Sequence, residues 1–216
     1  VPHKENVLSL IDEVSNLARR AGAVNTISNR DGRLAGDNTD VYGLSQSLRL
    51  HDDRLDGCRA VVLGAGGAAR AAVLSLEGVG AREIAVLNRS IERAERLRDD
   101  LVPAPVVAIA SGSAEANRVL AAADVVINAT ALGWKRGEMP LTGDQIGALA
   151  DSALVVDITY RDTDLLEAAR ARGLRTVDGL EMLVYQGARS LEIWSGQTPP
   201  VDVMMAAALA ARAART

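Results

Sequence analysis

Residues 59–70 read RAVVLGAGGAAR: an apolar strand, Arg59 to Leu63, runs straight into Gly64-Ala65-Gly66-Gly67-Ala68-Ala69. This is a G-x-G-x-x-A pattern with Ala69 at the third small position. The first glycine permits a tight turn, and the second lets backbone approach a pyrophosphate. The small third residue lets helix and strand pack closely. A helix predicted over 68–77 would offer its N-terminal N–H groups to the anion. Alone the pattern is weak, but between a strand and a helix it predicts a dinucleotide cradle built by Gly64, Ala65, Gly66, Gly67 and Ala68.

The same rhythm continues on both sides. Strands are predicted over 83–87, 105–109, 124–128 (DVVIN), 153–157 (ALVVD) and 174–177, with helices over 91–101 and 164–172. Short, near-continuous apolar strands alternating with helices mean a parallel sheet covered on both faces. The expected class is α/β, with a Rossmann-like domain over about 41–180. The tip of its second strand decides which dinucleotide fits. An NAD site places an acid there for the ribose 2′-hydroxyl, whereas an NADP site places cations for the extra phosphate. Here the tip reads Asn88-Arg89-Ser90, with Arg93 one turn on and no acid at the strand end. Arg89, Ser90 and Arg93 can face one phosphate, and the planar fork of arginine suits it. An Arg-rich chain would also place arginines at an ordinary solvated helix start; the pattern favours NADP over NAD.

Upstream, apolar residues at 7, 8, 11, 14, 17 and 18 predict one amphipathic helix over 5–21, stopped by Gly22. Short β-branched runs around Asp31-Gly32 predict a hairpin. The polar run Asp37-Asn38-Thr39-Asp40 can cap a helix over 41–50, and 51–57 reads as a joint. The tail predicts helices over 180–194 and 201–214. Residues 1–40 with 181–216 are expected to form a smaller, partial α/β domain for substrate, beside the larger nucleotide-binding one.

Composition narrows the possibilities. The 216 residues carry 24 Lys and Arg against 28 Asp and Glu, a net charge of −4, which disfavours nucleic-acid binding. No apolar run approaches the length of a membrane span, and nothing at the start reads as a signal peptide. One cysteine, Cys58, leaves no internal disulfide or cysteine metal cluster. His3 and His51 have no partners at metal-ligand spacing. A cytoplasmic protein acting on small molecules is expected, as a monomer or homodimer. Only Lys4 and Lys135 are lysines. Lysine, unlike arginine, can be tuned to release a proton.

Val1-Pro2-His3-Lys4, Ala23-Val24-Asn25-Thr26 and Asp37-Asn38-Thr39-Asp40 precede the glycine loop. Asn88-Arg89-Ser90, Asn128-Ala129-Thr130 and Asp178-Gly179-Leu180, with Met182-Leu183 and Gln186, follow it. In order and spacing these segments resemble the shikimate dehydrogenase family over essentially the whole chain. The resemblance implies reversible, NADP-dependent reduction of 3-dehydroshikimate to shikimate on the aromatic amino-acid (chorismate) route. It makes Lys4 and Asp40 the catalytic pair and Asn25, Tyr160 and Gln186 substrate contacts. It puts Thr130, Ile158 and Gly179 at the nicotinamide pocket, the glycine allowing close backbone approach. A ketone that accepts hydride becomes an alkoxide and needs a proton donor, which a tuned lysine can be.

The chain departs from the pattern in places. Members of the family carry a further strand–helix–strand stretch of roughly 60 residues ahead of V-P-x-K, with serines that hold the substrate carboxylate. Glu181 stands where many members have a small residue, and Ser90 replaces the commoner threonine. Alternatives are an NAD-using quinate/shikimate enzyme, a folate-type dehydrogenase, and a truncated, non-catalytic NADP-binding relative.

Overall fold

A computed structural model describes residues 6–52 and 55–214. These form two compact units: the described residues up to Ser47 together with those from Leu180, and Leu48–Gly179.

The smaller unit opens differently from its periodicity. Residues predicted as one helix over 5–21 form a 3-10 helix (Asn6–Leu10), a two-residue strand β1 (Glu13–Val14) and a short helix α1 (Asn16–Ala21). Pairing and capping override the helical spacing. Glu13 and Val14 pair in parallel with Ala35 and Gly36, and Ser15 Oγ caps α1 by accepting from Ala18 N at 3.1 Å. Gly22, in the left-handed region at φ 64°, ends α1. Strands β2 (Thr26–Arg30) and β3 (Arg33–Asp37) form the predicted hairpin. Its two-residue turn needs positive φ at both positions, and Asp31 (52°) and Gly32 (87°) supply it. Helix α2 (Asp40–His51) follows.

The larger unit is a six-stranded sheet. In chain order its elements are β4 (Arg59–Leu63), α3 (Gly67–Gly78), β5 (Glu83–Asn88), α4 (Ile91–Asp100) and β6 (Val106–Ala110). There follow α5 (Ala114–Ala121), β7 (Val125–Asn128), α6 (Gly143–Gly147), β8 (Leu154–Asp157), α7 (Asp164–Ala171) and β9 (Arg175–Val177). The strand order is β6-β5-β4-β7-β8-β9, and every pair is parallel. That is the Rossmann-like order, with its direction of winding reversing between β4 and β7. The central strands are buried on both faces, as their unbroken apolar runs require. Helices α5 and α6 are additions to the sequence reading. Their caps were nevertheless written locally: Ser113 accepts from Ala116 N, and Thr142 with Gln145 makes a reciprocal capping box.

The chain returns to the smaller unit through α8 (Leu180–Ser195) and α9 (Val201–Ala213). Helix α8 crosses α2 at Gly43, where a Cβ would lie 2.6 Å from Met182 O and 2.9 Å from Gln186 N. No described helix is long and apolar enough to cross a membrane.

Candidate active site

In the smaller unit the network is built around Asn25, just ahead of β2, and the start of α2. Asn38 caps this helix, its Oδ1 accepting from Asp40 N at 3.1 Å and from Val41 N. Its own amide donates to Ala23 O at 3.0 Å. Asp40 is therefore not the cap, and its carboxylate is engaged elsewhere. Asn25 Nδ2 donates to Asp40 Oδ1 at 2.8 Å and to Thr39 Oγ1 at 3.0 Å. Asn25 Oδ1 accepts from Thr39 N at 2.8 Å and from Thr26 Oγ1 at 3.1 Å. The amide orientation follows from chemistry, because a backbone N–H only donates and an ionised carboxylate only accepts.

Behind this pair lies a buried hydroxyl cluster. Thr26 Oγ1 and Ser190 Oγ are 2.7 Å apart, and Thr39 Oγ1 and Ser190 Oγ 3.1 Å. Thr39 also reaches Gln186 Oε1 at 3.5 Å. Asn25, Asp40 and Gln186 thus share one polar patch, joined through Thr39. Lys4 lies outside the described residues. The roles of Thr39, Thr26, Ser190 and Gly43 were not read from sequence. Ser190 carried one faint signal, a serine one turn after Gln186 on the same helix face.

In the larger unit the carboxyl ends of β4 and β7 carry the nucleotide motif. Gly64 has φ 104°, and a Cβ there would meet Ala129 O at 3.1 Å and Thr130 Cγ2 at 3.2 Å. A side chain at this position would wedge the two strand ends apart. Gly66 precedes α3 in extended backbone with open space where a Cβ would be. Buried Ala69 lets α3 lie close on the sheet. The first N–H groups of α3, Gly67 and Ala68 among them, have no partner within their own helix.

At the tip of β5, Asn88 Nδ2 donates to Ser90 O at 2.9 Å and shapes the turn into α4. Arg89 and Arg93 are exposed and form no ion pair among the described residues. Ser90 Oγ donates to Glu92 Oε2 at 2.6 Å. Glu92 went unnoticed in sequence because it lies beyond the strand tip, where an NAD-type acid is sought.

Buried Asn128 and Asp157 tie the ends of β7 and β8 together. Asn128 Nδ2 donates to Asp157 Oδ2 at 3.0 Å, and Asn128 Oδ1 accepts from Thr130 Oγ1 at 2.7 Å. Asp157 also accepts from Thr163 Oγ1 at 2.9 Å and Thr159 N at 3.0 Å. This hub fixes Thr130 and the turn holding Ile158. A Cβ at Gly179 would fall 2.1 Å from Ile158 O. The need for glycine there is thus met by the chain's own backbone, without invoking a ligand. The Tyr160 ring stands edge-on to Trp134, centroids 5.4 Å apart, and both are exposed. The candidate residues therefore fall into two sets, Asn25, Asp40 and Gln186 in the smaller unit and all the others described in the larger.

The comparisons with known proteins agree along the chain. Residues 1–27 match the shikimate dehydrogenase substrate binding domain, and residues 47–182 match shikimate / quinate 5-dehydrogenase. Residues 179–209 match the shikimate 5′-dehydrogenase C-terminal domain. The shikimate dehydrogenase (NADP(+)) of Symbiobacterium thermophilum is 48% identical over 217 residues, covering 98% of this chain and 74% of the relative. That of Rhodospirillum rubrum is 47% identical, covering 97% and 75%. Among solved structures, shikimate 5-dehydrogenase from Thermus thermophilus in complex with NADP(H) and shikimate is 34% identical. Its TM-score is 0.85, with 98% of this chain and 77% of that one covered.

Proposed function

The chain belongs to the shikimate dehydrogenase family, and we propose that it interconverts 3-dehydroshikimate and shikimate with NADP(H), using Lys4 and Asp40 as its acid–base pair. The observation that carries this reading is the 2.8 Å hydrogen bond from Asn25 Nδ2 to Asp40 Oδ1, which aims a carboxylate within a polar patch that includes Gln186.

The nucleotide fits the larger unit on physical grounds. Open space at Gly66, the positive φ of Gly64 and the start of α3 suit a pyrophosphate. Arg89 and Arg93 suit a 2′-phosphate beside Ser90, whose hydroxyl is held by Glu92, and Thr130, Ile158 and Gly179 would line the nicotinamide end. When bound, NADPH supplies the hydride that a ketone carbon accepts.

The chain's own residues handle the proton. Lys4 donates it to the oxygen that becomes the hydroxyl and takes it back in the reverse direction. Asp40, held by Asn25, orients the ammonium and accepts from a substrate hydroxyl. Its negative charge favours protonated Lys4, whereas desolvation under a bound substrate favours neutral Lys4. Asn25, Gln186 and Tyr160 supply further polar partners, which a small polyhydroxylated acid needs once it leaves water. Substrate and nucleotide are both water-soluble, and we assign the reaction to the cytoplasm.

Lys4→Ala is the test. We expect shikimate oxidation to fall about 100- to 10,000-fold, the usual span for a general acid–base group, while calorimetry finds NADP+ affinity retained. Undiminished turnover in Lys4→Ala, or a wild-type protein that binds NADP+ but never shikimate, would overturn the assignment.

A further inference from the structure

The hydroxyl that a 2′-phosphate would use is already engaged. Ser90 Oγ donates to Glu92 Oε2 at 2.6 Å, in the range of a hydrogen bond to an ionised acceptor. Asn88 Nδ2 holds the Ser90 carbonyl at 2.9 Å and so fixes the turn that presents this hydroxyl. Glu92 is exposed in the first turn of α4. The Ser90 hydroxyl, then the backbone N–H of Glu92, hold its carboxyl below the usual range, so it is ionised at neutral pH. Arg89 and Arg93 flank the same turn and form no ion pair among the described residues, while the charge of Arg96, one helical turn beyond Glu92, also favours the ionised carboxyl. The helix start therefore joins a positive field to one fixed negative charge.

A serine hydroxyl has a single proton to give. While Glu92 takes it, a phosphate oxygen cannot, and the carboxylate repels a dianion brought to the same spot. A ribose 2′-hydroxyl behaves oppositely, since it can itself donate to a carboxylate. Resting on the NADP reading above, we infer that Glu92 is a specificity-determining residue that weakens this site's preference for a 2′-phosphate over a 2′-hydroxyl. The protein then uses NAD+ measurably alongside NADP+, although its strand tip lacks the usual acid.

The test is calorimetric titration of NADP+ and NAD+ into wild type, Glu92→Gln, Glu92→Ala, Ser90→Ala and the Ser90→Ala/Glu92→Ala double variant. Removing the charge in Glu92→Gln should shift the affinity ratio toward NADP+ about tenfold at low salt and less at high salt. Ser90→Ala should cost little NADP+ affinity in wild type, but about fivefold in the Glu92→Ala background, where the released hydroxyl can reach the phosphate. An unchanged ratio in Glu92→Gln, or an equal cost of Ser90→Ala in both backgrounds, overturns the inference; Glu92 would then be only a favourable charge at a helix start. Wild type that binds neither nucleotide overturns the cofactor reading itself, and that titration tells the two failures apart.

Discussion

Asn25 shows how one amide can set the chemistry of a neighbour. Both of its polar atoms are committed, and the acceptor it holds is the carboxylate assigned to the proton step. Asn25→Ala should lower kcat/KM for shikimate about a hundredfold, the scale of one orienting bond to a charged group. NADP+ affinity should be retained, and steady-state kinetics with calorimetry checks both. Equal kcat/KM in the variant would reduce Asn25 to a packing residue. Cys58 offers a contrasting case. Burial, then Asp124 and Asp52, push its thiol up to about 11 from an ordinary value of 9.0. The thiolate is therefore scarce at pH 8, and iodoacetamide should label the protein only as urea unfolds it. The sign for stability follows from proton linkage. Between about 9 and 11 the folded chain keeps a proton that the unfolded chain has lost, so stability falls as pH rises across that window.

Among the elements, the crossing of α2 and α8 depends on Gly43. The two backbones approach so closely that any Cβ would overlap the Met182 carbonyl. Gly43→Ala should cost about 1–3 kcal/mol in urea unfolding and raise KM for shikimate, because α8 carries Gln186. The α8 start also explains Glu181, a departure from the family pattern. It takes a hydrogen bond from Ser47 Oγ at 3.0 Å and sits in the first helical turn, where an acid is favoured. The segment after β7 is pinned by carboxylates instead. Glu138 accepts from Gly133 N and Lys135 N, while Asp164 accepts from Arg136 and Gly137 N. These bonds hold both carboxyls below their usual range. Their stabilising contribution is present above the ordinary carboxylate pKa and is lost as pH falls through the lowered values. In a Trp194→Phe background, Trp134 emission should shift to the red in that acid window, ahead of global unfolding. A shift that merely coincides with loss of helical signal would count against this local pinning.

At the scale of the molecule, two compact units divide the assigned work, and ligands should reveal the division. NADP+ at a hundred times its Kd should stabilise the fold by about 2.7 kcal/mol. Amide exchange should slow at 64–69 and 88–93 in the larger unit, and shikimate should instead slow it around 25 and 38–40. Protection by NADP+ confined to the smaller unit would contradict the assignment. Much of this architecture was legible in the chain itself. The parallel strands, the glycine start of α3 and the hairpin turn at Asp31-Gly32 are encoded by apolar runs and by residues a few positions apart, so local sterics determine them. The helix expected over 5–21 failed because pairing of Glu13-Val14 with Ala35-Gly36 outweighed a short run of helical spacing. The Asn38 cap of α2 is likewise local, made two and three residues along the chain, whereas tertiary structure alone decided that Asp40 goes to Asn25 and that Gly179 yields to Ile158. It also decided that Thr26 meets Ser190 across 164 positions of chain. Hydrogen bonds of that reach depend on how whole elements are set against one another, and no local period of the sequence carries that information.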